Sequence, residues 1–321
     1  MRFLSLRRAS KLKFYSTSFA QRLFIPDAYF RSRLAEVLGQ IKNYDPQVVH
    51  DRVDYYNKLD ASFDLPADAV GLKSIPFAKQ TAYYCDMRSV LRYFPKDVRV
   101  KYLFGDVREI MAEPTFVKSR PISDDNGNSI LLKLNRVRHF IPIRDKIPYG
   151  EKKDILVWRG VGWQPRRKAF LREFWNHPLC DVGQVNPPSE AAPAEWVKPR
   201  MTVDEQLRYK FILSIEGNDV ATNLKWIAQS DSLCFMVKPK CETWLMEGRL
   251  VPGVHYVQLR DDYADLPEKI EHYRKHSDEA LAIIQNFKDY FRQFLDIRLE
   301  KLVPLLVARK YLELSGQLST H

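Results

Sequence analysis

KFILSIEGNDVATNLKWIAQSDSLCFMV, residues 210–237, decides the fold. It sets an apolar strand, KFILSI, before a polar turn, EGNDVATN, then a helical stretch and a second apolar strand, SLCFMV. Strand, helix and strand in so few residues read as a βαβ unit, in which the helix carries the chain back and the strands run parallel. In an open parallel sheet ligands lie beyond the carboxyl ends of the strands, where a turn and the next helix present amide groups to an anion. The predicted fold class is α/β.

The same alternation extends outward. Strands are expected at 154–158, 180–185 and 254–259, and helices at 165–175 and 219–229. Asp265-Leu-Pro-Glu268 reads as a capping box. Long helices then run to residue 314, the last interrupted at Pro304. Upstream, helical periodicity covers 27–42, 46–59 and 77–94, a buried strand covers 98–104, and 114–148 is strand-like. Asp125-Asn-Gly-Asn128 marks a hairpin there. The chain's 321 residues favour two domains, divided at Ile147-Pro-Tyr-Gly150. The expected organisation is a basic segment, 1–26, a domain over 27–150, and a second over 151–321 with the C-terminal helices.

The central turn carries chemistry as well as topology. Gly217 allows close backbone approach, Asn218 and Asp219 can cap a helix, and Thr222, Asn223 and Lys225 add polar groups. That set suits a phosphate or a sugar. It suits equally a strand-to-helix loop with Lys225 in solvent, since neither a Walker nor a Rossmann glycine pattern is present.

Several blocks in order and spacing resemble glycosyltransferase family 90, the group of the protein O-glucosyltransferases, fungal capsule xylosyltransferases and bacterial enzymes of lipopolysaccharide synthesis. They are Tyr209-Lys210, the Gly217 turn, Lys225, the strand at 232–237, and Val254-His-Tyr-Val257 with Asp262 and Asp265-Leu266. Upstream, Ile155-Leu-Val-Trp-Arg-Gly160 with Pro165 and Arg167 is similar to the family's aromatic-Arg-Gly loop, and 98–107 to the strand that ends in its proposed catalytic base. Pro114-Thr-Phe116 fits the strand after it, so the resemblance spans about Arg99 to Phe294. The eukaryotic members carry Ser-Arg-Thr where this chain has Val161-Gly-Trp163, and an arginine where it has Asn223. The chain is closer to the bacterial branch.

The resemblance implies a GT-B layout, two Rossmann-like domains facing across a cleft, with 27–150 on the acceptor side and 151–321 binding sugar nucleotide. It implies an inverting transfer of a hexose or pentose from a UDP-sugar to a hydroxyl of a lipopolysaccharide core or related surface glycan. Asp106 would be the base, where a turn or helix cap is the plainer role. Arg159, Gly160, Arg167, Gly217, Asn223 and Lys225 are the donor and phosphate candidates, and Arg166 is a weaker one. With Lys168, Arg166 and Arg167 could instead be a solvated helix face. Glu242 and Glu247, flanking Trp244, are candidate sugar or ribose contacts or exposed helix residues. Transfer to a hydroxyl needs a base and stabilisation of the departing diphosphate, which arginine, lysine and helix N-termini supply without a metal. No metal is expected, because no Asp-x-Asp turn is present and the seven histidines read as scattered.

Charge points to anionic partners: 51 Lys and Arg against 40 Asp and Glu give +11. Arg2, Arg7, Arg8, Lys11, Lys13 and Arg22 precede the first acid, Asp27, with Phe3, Leu4, Leu6, Leu12, Phe14 and Phe19 interleaved. An interfacial helix on anionic lipid, an organelle address and a basic tail all fit this start. No stretch is apolar for long enough to read as a secretory signal or a membrane span. Cys85, Cys180, Cys234 and Cys241 lack paired spacing, and a reducing compartment is expected. The expected place is the cytoplasm, on the inner face of the membrane, and no nucleic-acid partner is expected. The contrasting reading is a non-enzymatic basic module for nucleic acid or anionic membrane, which would bind more tightly at low salt and cleave no sugar nucleotide.

Overall fold

A computed structural model describes residues 6–77, 80–190 and 192–319, with side chains from Ser10. Arg2, Phe3 and Leu4 of the basic start, and Ala78 and Lys79 of the expected helix 77–94, lie outside the described residues. The fold is mixed α/β with parallel sheets and several helices. Two compact units form: 1–141 with 241–247 and 294–321, and 142–240 with 248–293.

The first unit begins with α1 (Leu6–Phe24). The expected helix 27–42 is broken into turns at Asp27–Ser32, Leu34–Leu38 and Gly39–Asn43. α2 (Pro46–Tyr56) starts as sequence chemistry dictates: Pro46 opens it and the Asp45 side chain accepts from the Gln47 amide at 2.9 Å. α3 is Thr81–Leu91. The strand expected at 98–104 is two: Arg99–Val100 pairs antiparallel with Val70–Gly71, and β1 (Tyr102–Leu103) joins a parallel sheet with β2 (Thr115–Val117) and β3 (Ser129–Leu131), in the order β1-β2-β3.

The hairpin at 125–128 does not form. Asn126–Asn128 is a short 3-10 turn between parallel strands, held by Asn126 Nδ2 donating to Pro121 O at 2.8 Å. Arg120–Pro121 pairs instead with Cys241–Glu242.

The second unit is built on five parallel strands. They are β4 (Lys153–Gly160), β5 (Cys180–Gln184), β6 (Tyr209–Leu213), β7 (Leu233–Val237) and β8 (Val257–Leu259), in the order β8-β7-β6-β4-β5. Both faces are buried, so the strands read as continuous apolar runs. Alternate residues on one face, Leu156, Trp158, Phe211, Leu213, Leu233 and Phe235, share a core with α4 (Pro165–Phe174). α6 (Leu266–Lys275) and α7 (Ser277–Arg292) contribute Ile270, Ala280 and Ile283 to it.

Between β6 and β7 the expected helix 219–229 shrinks to α5 (Leu224–Ile227). Asn218 and Asp219 belong to a turn in which the Gly217 amide donates to Asp219 O at 2.9 Å. Asp265 precedes α6 without capping it, its carboxylate accepting from the Arg260 amide, whereas a true capping box joins Thr202 and Glu205. α8 (Leu299–Leu314) runs unbroken through Pro304 and packs in the first unit on α2 and α3.

Candidate functional site

Strand order locates the site of the second unit. In chain order its strands lie 2-1-3-4-5, so the direction of winding reverses between β4 and β6, where open α/β sheets leave a crevice at the carboxyl ends. The loop after β4 leads to α4, whose N-terminus has no acid in its first turn and no side-chain cap. Its amides and Arg166, Arg167 and Lys168 therefore form a positive end.

Arg167 spans the crevice. Its Nη1 donates to Val161 O after β4 and its Nη2 to Ile215 O after β6, both at 2.9 Å. A Cβ on Gly217 would stand 3.1 Å from Arg167 Nη2, so the guanidinium would have to give by a few tenths of an ångström. Arg166 reaches Glu216 at 2.8 Å. Asn223 braces the end of β6, donating to Leu213 O at 2.8 Å and accepting from Ser214 Oγ at 3.2 Å.

Arg159 is folded onto β5. Its guanidinium donates to Pro199 O, Trp158 O, Asp181 O and Asp181 Oδ1. Burial pushes the Asp181 carboxyl up, but hydrogen bonds from Tyr209, Arg159 and Lys198 outweigh it and hold the group at about 2. The stability this cluster adds is present above the ordinary carboxyl value of 3.8 and lost as pH falls towards 2.

Gly160 has a packing reason. A Cβ there would lie 2.4 Å from Trp158 Cζ2, and that indole is 2 % exposed in the core. Gly160→Ala should destabilise the protein by about 1–3 kcal/mol through overpacking. Urea unfolding of the variant checks this, and an unchanged midpoint would show that the indole yields freely.

Lys225, expected at the ligand, is 0 % exposed on α5 and engaged inside the protein. Glu242 is enclosed too: Arg120 Nε donates to it at 2.7 Å and Tyr55 OH donates to its other oxygen. Glu247 accepts from the Thr243 amide at 2.6 Å and from Thr243 Oγ1 at 2.9 Å. In this structure both carboxylates hold the chain around Trp244 rather than sit as exposed helix residues.

The first unit has its own carboxyl-end cluster. Gly105, at φ +116, turns the chain after β1, and Asp106 follows it. Lys118, next to the end of β2, donates to Asp106 Oδ1 at 2.6 Å. Lys118 is 4 % exposed and Asp106 36 %, so the lysine is fixed and the carboxylate reachable. Sequence reading missed Lys118, although its place just past an apolar strand was the same signal that marked Asp106. It also overlooked His272 and His276, which are four residues apart, so the histidines are not all scattered. Cys180 and Cys234 are buried, and burial pushes the Cys180 thiol up to about 12.

Residues 133–299 match the description "Glycosyl transferase family 90". The chain is 45 % identical over 311 residues to the O-glucosyltransferase LpsA of Dichelobacter nodosus, covering 96 % of this chain and 97 % of that protein. It is 31 % identical over 199 residues to Protein O-glucosyltransferase 2 of Danio rerio, 60 % of this chain and 38 % of that one. It is 30 % identical over 161 residues to the uncharacterized protein 179R of Invertebrate iridescent virus 6, 47 % of this chain and 13 % of that one.

Proposed function

We propose, from the premise that this chain belongs to glycosyl transferase family 90 and is a glycosyltransferase, that it moves a hexose or pentose from a UDP-sugar to a hydroxyl of a lipopolysaccharide core or related surface glycan, with inversion. The name of the 45 % identical relative, an O-glucosyltransferase, favours glucose. The observation that carries the reading is the acid-free, uncapped N-terminus of α4 at the reversal in strand order. The two units are taken as the halves of a GT-B enzyme, the first on the acceptor side and the second on the donor side.

Asp106 takes the proton of the acceptor hydroxyl as its oxygen attacks the anomeric carbon opposite the leaving diphosphate, and one such displacement inverts the centre. Lys118 holds the carboxylate in place. The departing diphosphate is met by the first-turn amides of α4 and by Arg166, while Arg167 holds the two loops, Gly217 leaves room for the Arg167 guanidinium, Gly160 leaves room for the Trp158 indole, and Asn223 and Arg159 brace β6 and β4. Lys225 adds buried positive charge behind the turn. Glu242 and Glu247 act by holding the Trp244 segment.

Melting in the presence of UDP-glucose, UDP and uridine tests the donor site. A ligand at a hundred times its dissociation constant adds about 2.7 kcal/mol, so both diphosphates should raise the melting temperature by several degrees and uridine by much less. Equal shifts from UDP and uridine would remove the diphosphate from the α4 terminus. Transfer should also persist in excess EDTA; its loss, restored by magnesium or manganese, would replace the amide and arginine mechanism with a metal one.

The reading includes peripheral attachment to the inner face of the cytoplasmic membrane. No helix among the described residues is long and apolar enough to cross a membrane. On α1, Leu12, Phe19 and Leu23 are 66 %, 41 % and 73 % exposed and share one helical face, with exposed Lys11 and Lys13 to either side. An apolar stripe edged by lysines suits an anionic lipid surface. Replacing the three by Ser should weaken binding to anionic vesicles at least about a hundredfold, since each side chain is worth about 1.5–3 kcal/mol when fully buried and even partial insertion of all three exceeds the roughly 2.7 kcal/mol this requires. Unchanged sedimentation with vesicles would leave α1 without this role.

A further inference from the structure

The elbow between α6 and α7 brings three metal-ligating side chains together. His276 forms the joint, with φ −116 and ψ 65, yet its amide still donates to His272 O at 2.9 Å. Helical spacing thus survives the bend, and the two imidazoles stack with centroids 4.2 Å apart and planes at 19°. Glu279, from the first turn of α7, approaches His272 Nε2 to 2.8 Å. One donor atom from each of the three lies within 4.8 Å of the others.

The tautomer is set in advance. His276 Nδ1 is 2.8 Å from His272 O, and a carbonyl only accepts, so Nδ1 donates there and Nε2 is the ring nitrogen left to serve a metal. A backbone carbonyl orienting the other ring nitrogen is the usual support of a metal-binding histidine. The helices on either side are anchored, α6 by Ile270 and α7 by Ala280 and Ile283 in the core.

We propose that His272, His276 Nε2 and Glu279 form a binding site for a divalent transition ion, zinc first among them, with water in the fourth position. Two imidazoles and a carboxylate suit zinc, whereas magnesium prefers oxygen donors in an octahedron. The ion takes the place of the proton shared by His272 and Glu279, which leaves to solvent. Ligands at about 2.0–2.1 Å from zinc stand about 3.3 Å apart, so donor atoms now up to 4.8 Å apart close by as much as about 1.5 Å while the His272–Glu279 pair, at 2.8 Å, opens slightly, movements that exposed side chains make by rotation.

The ion would staple the elbow and stay clear of the transfer chemistry. Arg274, beside the cluster, donates to Asp154 O at 3.0 Å, at the amino end of β4. Gly160, six residues on, is about 20 Å away along the strand, at the crevice end. The site does not depend on the glycosyltransferase reading.

The test uses the full chain without an affinity tag, stripped with chelator and titrated with zinc by calorimetry and by melting. One equivalent should bind and raise the melting temperature, and magnesium should do neither. His272→Ala and His276→Ala should each weaken zinc binding at least about tenfold and abolish the melting shift. The metal-free variants should keep the wild-type circular dichroism, because all three side chains are exposed. No bound equivalent, or zinc binding and a melting shift unaltered in both variants, would overturn the proposal.

Discussion

Asp106→Asn is expected to lower the rate of sugar transfer by about 10²–10⁴ while leaving donor binding close to wild type. Asparagine keeps the shape and can still accept from Lys118 at the distance now spanned to Oδ1, 2.6 Å, but it cannot take a proton. The effect should therefore fall on kcat. Single-turnover kinetics with saturating donor and acceptor measure it, and near-normal turnover would remove Asp106 from the chemistry.

Arg120→Met is expected to be the most damaging single change to stability, costing about 3–5 kcal/mol. Arg120 is 0 % exposed and serves Glu242, the Ser129 carbonyl and the backbone of Tyr55 and Tyr56. Methionine fills much of the volume but leaves the Glu242 carboxylate buried with Tyr55 as its remaining donor among the described residues. The double variant Arg120→Met, Glu242→Leu should recover a large part of the loss, because two apolar groups replace a buried pair at little cost. Urea denaturation of the single and double variants measures both terms. A single variant as stable as wild type would show that the Arg120 interactions add no net stability.

The two changes differ in how visible their targets were. Asp106 follows a short apolar strand and a glycine, all local signals. Arg120 acts on a residue 122 positions away, and nothing in the spacing of either residue announces the partner. The same division runs through the fold. β4, α4 and β5 fall within one or two residues of their expected bounds, because short apolar runs and Pro165 at a helix start are local. The hairpin at 125–128 failed because its turn residues are real but the neighbouring strands find non-local partners. The helix expected at 219–229 is mostly turn, because the Asp219 carbonyl is taken by the Gly217 amide. For the candidate site, sequence reading found the loops at the carboxyl ends. It did not find the inward paths of Arg159, Lys225, Glu242 and Glu247, which depend on carbonyls and ion pairs assembled only in three dimensions.

The first unit is made of three separated stretches of chain, and its central polar hub shows what that means. Glu300 binds Arg52, Lys133 and the Trp244 indole, so one carboxylate near the C-terminus joins the N-terminal third, the middle and the late segment. The second unit, 142–240 with 248–293, has all its residues earlier than that carboxylate. As the chain leaves the ribosome, the sheet of the second unit can close while Arg52 and Lys133 still wait for their counter-charge. The polar hub of the first unit can therefore be completed only after every residue of the second unit has been made.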